Sequence, residues 1–247
     1  MDVGSRVQLC GRFVAELDGR RIDGELPGRQ GRLLFAYLVL TRPASASRDV
    51  LVDVLWGDEP PGSAGAALSV LVSRTRAALG PQVLRGRGEL WLVLPEPARV
   101  DVEVALAAVH EAQSRVVLGD WTGAWSPALT AQFVARRRFL AEADMPWVES
   151  WRRRLGDVRI RALECYAQAC LHLGGTELPA AERAARELVD LAPLYEMGYV
   201  LLMRALAGRG DVAQALNSYE RLRVLLREEL GVSPGPAAQA LHAELIG

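Results

Sequence analysis

The stretch SAGAALSVLVSRTRAALG, residues 63–80, decides how the first part of the chain is read. At about 100° per residue, Leu68, Leu71, Val72, Thr75 and Leu79 fall within about 60° of one line, the buried stripe of a helix. The opposite side carries Ser63, Ala66, Ala67, Ser69, Val70, Ser73, Arg74 and Ala77. A solvated helix face ordinarily shows long Glu, Lys and Arg side chains. Small side chains instead let a helix backbone come close to something. Two occupants fit such a face: a second packing layer inside the protein, or the major groove of DNA.

The flanking sequence favours the groove. Upstream, RVQLCGRFVAELDGRRI (6–22) reads as two strands joined at Asp18-Gly19, a favoured hairpin turn. A helix at about 29–40 ends before Arg42-Pro43. Ser47 is placed to cap a short helix, RDVLVDVLW, that stops at Gly57. The loop GDEPPGS leads to Ser63, the N-cap candidate of the quoted helix, and Gly80-Pro81 ends it. VLRGRGELWLVL (83–94) reads as a hairpin with Arg85, Gly86, Arg87 and Gly88 at its tip. Three helices, flanking strands and a terminal basic hairpin follow the order of a winged helix-turn-helix.

The chain changes character near residue 100 and is predicted to be helical from there to its end. Asp101 is placed to cap a helix to about 118, and Pro146 suits the first turn of a long helix to about 173. Helices also fit at about 178–191, 194–208, 211–230 and 235–245. An internal similarity recurs at an offset of 34: Gly174 maps onto Gly208, Glu177 onto Asp211, Ala181 onto Ala215 and Leu188 onto Leu222. That offset is the tetratricopeptide period. The expected architecture is therefore an α+β N-terminal winged helix-turn-helix over 1–97, followed by an all-α tetratricopeptide-like helical domain over 98–247. A fragment ending at residue 100 is expected to fold alone.

Composition narrows the function. The 247 residues carry a formal net charge of −1, which by itself argues for no partner. Residues 1–100 hold 13 Arg against 11 acids and the remainder 16 against 19, so the first part is mildly basic. All 29 basic residues are Arg. No apolar run approaches the roughly 20 residues that span a bilayer, and MDVGSRVQLCGRF has no signal-peptide pattern, so a cytoplasmic protein is expected. Cys10, Cys165 and Cys170 lack ligand spacing and read as buried free thiols. A GxxxxGK[ST] phosphate loop is impossible without Lys. His110, His172 and His242 are far apart and read as helix-surface residues. No catalytic residue, metal site or cofactor is expected. Trp121, Trp125, Trp147 and Trp151 could line a ligand pocket, but the i, i+4 spacing of the last two favours a helix–helix core.

Four segments carry a resemblance. GRQGRLLFAYLVLTRPASASRDVLVDVLWGDEPPGSAGAALSVLVSRTRAALG (28–80) and the hairpin after it are similar to the OmpR-type DNA-binding domain of the Streptomyces antibiotic regulatory protein family. FLAEADMPWVESWRRRL (139–155) and YERLRVLLREELGVSPGPAAQALH (219–242) look like that family's bacterial transcriptional activation domain. The resemblance implies that the third helix enters the major groove and the wing the adjacent minor groove. Val70 would then meet a thymine methyl, Ser73 a base edge, and Arg74 a guanine or a phosphate. Ser63 and Ser69 fall where phosphate contacts are expected, with Arg76 either at a phosphate or in a salt bridge. Arg85 and Arg87 sit on the wing, and Arg29 and Arg32 at the first helix could touch the DNA backbone. The loop between the second and third helices implies RNA polymerase contact through Asp58 and Glu59. Trp56 reads first as a residue closing the second helix and second as part of that contact.

The reading is a sequence-specific transcriptional activator, implied to serve a secondary-metabolite cluster. Its implied partners are direct-repeat operator DNA, RNA polymerase with its sigma factor, and a second copy of itself on DNA; no membrane is involved. A protein-binding scaffold, or a ligand-sensing regulator built on the helical repeats, is the alternative.

Overall fold

Apolar alternation builds the first sheet. β1 (Ser5–Gln8) and β2 (Val14–Leu17) pair antiparallel with Val7 opposite Ala15, and each buries every second side chain. β3 (Arg20–Arg21) continues the hairpin from β2. The Asp18-Gly19 turn thus joins β2 to β3, not the two longer strands as expected. Both its residues have positive φ, 47° and 76°, as a primed two-residue turn demands. The connection from β1 to β2 turns instead through Gly11, at φ 79°. β7 (Ala98–Val100) lies parallel to β1, giving the order β3-β2-β1-β7.

The helices between these strands carry the first core. α1 (Gly28–Thr41) buries Leu33, Leu34, Phe35 and Leu38 and packs on α2 (Arg48–Trp56) and α3 (Ala64–Leu79). The Ser47 hydroxyl accepts from Val50 N at 3.3 Å, the expected cap, a device that contributes about 1 kcal/mol. α3 buries Leu68, Leu71, Val72, Thr75 and Leu79, the stripe that its spacing predicts. Ser63 precedes the helix, but its side chain makes no cap bond; its backbone carbonyl accepts from Ala66 and Ala67. A second sheet, ordered β4-β6-β5, follows from β4 (Ala46–Ser47), β5 (Leu84–Gly86) and β6 (Glu89–Leu92).

The computed structural model describes residues 4–247. The first three residues of the N-terminal segment read above for a signal peptide lie outside the described residues. The chain divides into two compact units, Met1–Val104 with Arg137–Leu155, and Ala105–Arg136 with Gly156–Gly247. This division differs from the linear boundary at 97/98, and the reason is physical. Phe139 is buried and bridges Cys10 by backbone pairing, while Leu140 N donates to Leu9 O at 2.9 Å. The Trp147 indole donates to Val54 O at 3.1 Å and meets Tyr37 edge-on at 5.5 Å. Arg152 clamps the segment by donating to the carbonyls of Phe139, Leu140 and Ala143. Asp101 adds a latch: its carboxylate accepts from Leu9 N and Cys10 N, each at 2.9 Å. A fragment cut at residue 100 lacks all of these contacts.

The second unit is helical. α4 (Asp101–Val117) and α6 (Pro146–Leu173) each run through a unit boundary, and α5 (Trp121–Ala135) lies in the second unit. α7 (Leu178–Leu191), α8 (Glu196–Gly208), α9 (Val212–Leu230) and α10 (Pro236–Ile246) complete it. Leu163, Leu188, Tyr199, Leu202, Met203 and Leu222 form its main core. The three thiols are free and buried. His172 stacks on Trp121 at 3.7 Å and His242 on Tyr219 at 3.9 Å. Trp147 and Trp151, both half-buried, pack around buried Phe139. Among the described residues, no helix is long and apolar enough to cross a membrane, and no metal-ligating cluster occurs.

Candidate nucleic-acid interface

The outer face of α3 is free. Ser63, Ala66, Ser69, Val70, Ser73, Arg74 and Ala77 are exposed, Val70 at 53%. A half-exposed Val amid Ala and Ser gives a smooth, narrow ridge. Arg74 makes no ion pair or side-chain hydrogen bond among the described residues, so its guanidinium remains available. Leu71, next to this ridge, is buried and supports α3 from below.

Two residues assigned to phosphate contacts have other work. Ser69 Oγ donates its single proton to Gly65 O at 2.8 Å and accepts from Arg48 Nη2 at 2.6 Å. Its hydroxyl is therefore committed within the protein. Arg76 Nε donates to Leu84 O at 3.0 Å and its Nη2 to Gly86 O at 2.7 Å. β5 is an edge strand, so alternate carbonyls point away from β6, and Arg76 satisfies two of them. Arg76 has no acid within 4.0 Å among the described residues, so of the two roles expected of it the salt bridge is not formed; these two bonds fasten the wing to α3.

Arg48 is the residue that sequence reasoning missed. From the first turn of α2 it reaches Ser69 Oγ, Gly65 O at 3.3 Å and Arg87 O at 3.4 Å. It ties α2, α3 and the wing tip together. Its position next to the cap Ser47 looks like an ordinary surface charge in the sequence; only the fold brings the other two elements to it.

The wing is shorter than its sequence suggests. Leu84 faces Leu92, Arg85 faces Trp91 and Gly86 faces Leu90, so Arg85 lies in a strand and Arg87-Gly88 form the tip. Gly86 sits at φ 90°, with the Glu89 carbonyl oxygen and then the Trp91 ring in the way of a Cβ, so only glycine fits. Arg85 Nε donates to Gln82 O at 2.9 Å, and Arg87 is exposed. None of Arg48, Arg74, Arg76, Arg85 or Arg87 has a carboxylate within 4.0 Å among the described residues. Elsewhere in this unit Arg20, Arg21, Arg32, Arg42, Arg137, Arg138 and Arg152 do, while Arg12 and Arg29 do not. The α3–wing surface thus carries several arginines without an ion-pair partner in a chain that is nearly neutral.

The remaining assigned residues lie on α1, at the end of α2 and in the loop between α2 and α3. Arg29 is exposed at the first turn of α1, and Arg32 pairs with Glu142 at 3.2 Å. Trp56 is half-buried at the end of α2, and Asp58 and Glu59 are exposed in the loop after it.

A two-unit chain with a basic, small-residue helix face in one unit and stacked helices in the other matches known proteins. The model of the bacterial transcriptional activator domain matches residues 100–246, and the chain belongs to that family. Its relatives are transcriptional regulators of the Streptomyces antibiotic regulatory protein type, not enzymes. The chain is 34% identical over 243 residues to the regulatory protein AfsR of Streptomyces coelicolor, covering 98% of this chain and 24% of that protein. It is 26% identical over 253 residues to the regulatory protein DnrI of Streptomyces peucetius, covering 98% of this chain and 92% of that one. It thus spans about a quarter of the length of AfsR. A solved structure of Mycobacterium tuberculosis EmbR in complex with a low affinity phosphopeptide superposes with a TM-score of 0.83 at 23% identity, over 99% of this chain and 65% of that one.

Proposed function

We propose that the chain is a sequence-specific DNA-binding transcriptional activator, serving a secondary-metabolite cluster. The first unit is read as an OmpR-type winged helix, residues 1–97 braced by 137–155. The helical part of 98–247 is read as a tetratricopeptide-like activation domain. The fully buried pairs Ala181/Ala215 and Leu188/Leu222, 34 residues apart, support the repeat reading. The single observation that carries the DNA reading is the α3 face: exposed Val70 and unpaired Arg74 among Ser and Ala, bordered by arginines without carboxylate partners.

In this reading α3 lies in the major groove. Val70 meets a thymine methyl, Ser73 a base edge, and Arg74 a guanine edge or a phosphate. Ser63 meets a phosphate at the start of α3, and Arg85 and Arg87 meet phosphates or the minor groove. Ser69 and Arg76 act from behind, holding Arg48 and the wing. Two copies occupy direct repeats beside a promoter. Asp58, Glu59 and the neighbouring Trp56 meet RNA polymerase or its sigma factor, in the cytoplasm.

The test is operator binding by fluorescence anisotropy, on a site selected from genomic fragments. Arg74→Ala is expected to weaken specific binding by about 1–3 kcal/mol, the value of one base-edge pair. Val70→Glu places a carboxylate against the bases and is expected to abolish specific binding. Both variants should keep wild-type circular dichroism and melting, because neither side chain is on the buried stripe. Wild-type operator affinity in both, with the fold intact, would remove α3 from the groove.

A further inference from the structure

Away from α3, the first unit holds a cavity of about 250 Å³. Its walls come from the β1–β2 turn, the start of α1 and residues 140–143. Arg12, Arg29 and Arg32 all line it, and Phe13, Leu33 and Leu140 supply apolar wall. Two carboxylates also border it, and both are already matched: Asp23 lies 2.7 Å from Arg21 and Glu142 lies 3.2 Å from Arg32. Arg12 and Arg29 have no carboxylate within 4.0 Å among the described residues. The cavity therefore keeps two uncompensated guanidinium groups, contributed by separate elements that the fold brings together.

Two further observations agree with that charge. Arg32 Nε is buried without an acceptor, so a strong donor at this site is unsatisfied. The first turn of α1 contains no acidic residue and no side-chain cap, leaving the positive end of the helix uncompensated beside Arg29. A cation would meet three arginines here and is disfavoured. A neutral apolar molecule would leave the guanidinium groups as they are.

We infer that this cavity binds a small organic anion, a phosphate or carboxylate carried on a compact apolar group. Arg12 and Arg29 hold the anionic head, as planar forks suited to two acceptor oxygens. Phe13 and Leu33 cover the apolar body. Phe13 is itself fixed edge-on against buried Phe35, with ring centroids 6.2 Å apart, so the wall is firm. This site is separate from the α3 face and stands whether or not α3 reads DNA.

The test uses the full chain and phenyl phosphate as the probe, with inorganic phosphate and benzyl alcohol for comparison, by calorimetry and thermal shift. Phenyl phosphate is expected to bind saturably at one site per chain and to raise the melting temperature. Inorganic phosphate should bind at least about tenfold more weakly for want of the apolar contact, and benzyl alcohol not detectably. The double variant R12Q/R29Q should lose at least about tenfold in phenyl phosphate affinity. Ala141→Trp fills the cavity from an exposed position while keeping every arginine, and should abolish binding on a protein of unchanged circular dichroism. Absence of saturable phenyl phosphate binding would overturn the inference. So would equal affinity for inorganic and phenyl phosphate, or binding that survives Ala141→Trp. A loss of DNA affinity and salt slope in R12Q/R29Q, with no anion binding by the wild type, would reassign these arginines to the DNA backbone and also defeat it.

Discussion

Replacing Arg76 tests whether the wing is held by α3 or by DNA. In the folded chain its Nε and Nη2 occupy the carbonyls of Leu84 and Gly86 at 3.0 and 2.7 Å. A hydrogen bond to a charged group contributes about 1.5–3 kcal/mol, so two give a gross value of about 3–6 kcal/mol. The net loss in Arg76→Ala should be smaller. β5 is an edge strand, and water can reach a carbonyl that the shortened side chain uncovers. Arg76 itself is only half-buried, which lowers the value further. About 2–3 kcal/mol is the expected destabilisation, concentrated in the wing. Native-state hydrogen exchange reads it locally: Val93 N, which donates to Val83 O at 2.8 Å, should exchange about 30- to 150-fold faster. Arg76→Lys should recover only part, because one ammonium cannot match the two-pronged geometry. Arg74→Ala is the control, expected within about 0.5 kcal/mol of wild type. On DNA, Arg76→Ala should lower affinity while leaving the slope of log K against log salt unchanged, since Arg76 neutralises no phosphate. A slope lower by about 0.9 with unaltered Val93 exchange would refute the reasoning and return Arg76 to the phosphate backbone.

Other outcomes follow from the same geometry. Removing Arg85 and Arg87 together should lower the salt slope by about 0.9 for each phosphate they neutralise, measured by anisotropy, with Val93 exchange unchanged. Asp101→Ala leaves Leu9 N and Cys10 N without their acceptor and should cost about 2–5 kcal/mol in urea unfolding; a change below about 0.5 kcal/mol would show that the latch is idle. For the same reason a fragment of residues 1–100 should give a spectrum of poorly dispersed amide resonances, and lowering the temperature should not restore the dispersion. Burial pushes the Cys165 and Cys170 thiols up to about 11 and Cys10 higher still. The thiolate fraction at pH 8 is then about a thousandth or less, so alkylation of the native chain should be slow, quicken as pH rises toward 11, and become complete on unfolding. Glu182 is buried and pairs with Arg186 and Arg209, whose guanidinium ends remain half-exposed. Glu182→Ala should therefore cost about 1–2 kcal/mol, well below the loss expected when a charge is stranded in a core, as read by thermal melting of the second unit.

Local rules carried much of the fold. Leu68, Leu71, Val72, Thr75 and Leu79 share one face because the helical repeat leaves no alternative, and the same repeat turned Val70, Ser73 and Arg74 outward. Ser47 capped α2 and Pro146 opened α6 because each satisfies or lacks a particular backbone group. The hairpin at 18–19 shows the limit of such rules: the turn chemistry was legible, but which strands it joined depended on where the sheet ran out.

What the tertiary structure alone decided concerns partners far apart in the chain. Nothing near Arg76 or Arg48 in sequence reveals that an edge strand and a wing tip await them, since backbone carbonyls have no residue type to read. Residues 137–155 have a helical, aromatic sequence suited to either unit; Phe139 and Trp147 join the first one because the backbone at Cys10 and the Val54 carbonyl offer the matching groups, while Arg152 holds the segment's own carbonyls. Arg12 and Arg29 are ordinary surface charges until the β1–β2 turn and α1 set them around one cavity. Periodicity fixes which way a side chain faces along its own element. Only the packing of elements fixes what it meets there, because that depends on distances closed by the whole chain at once.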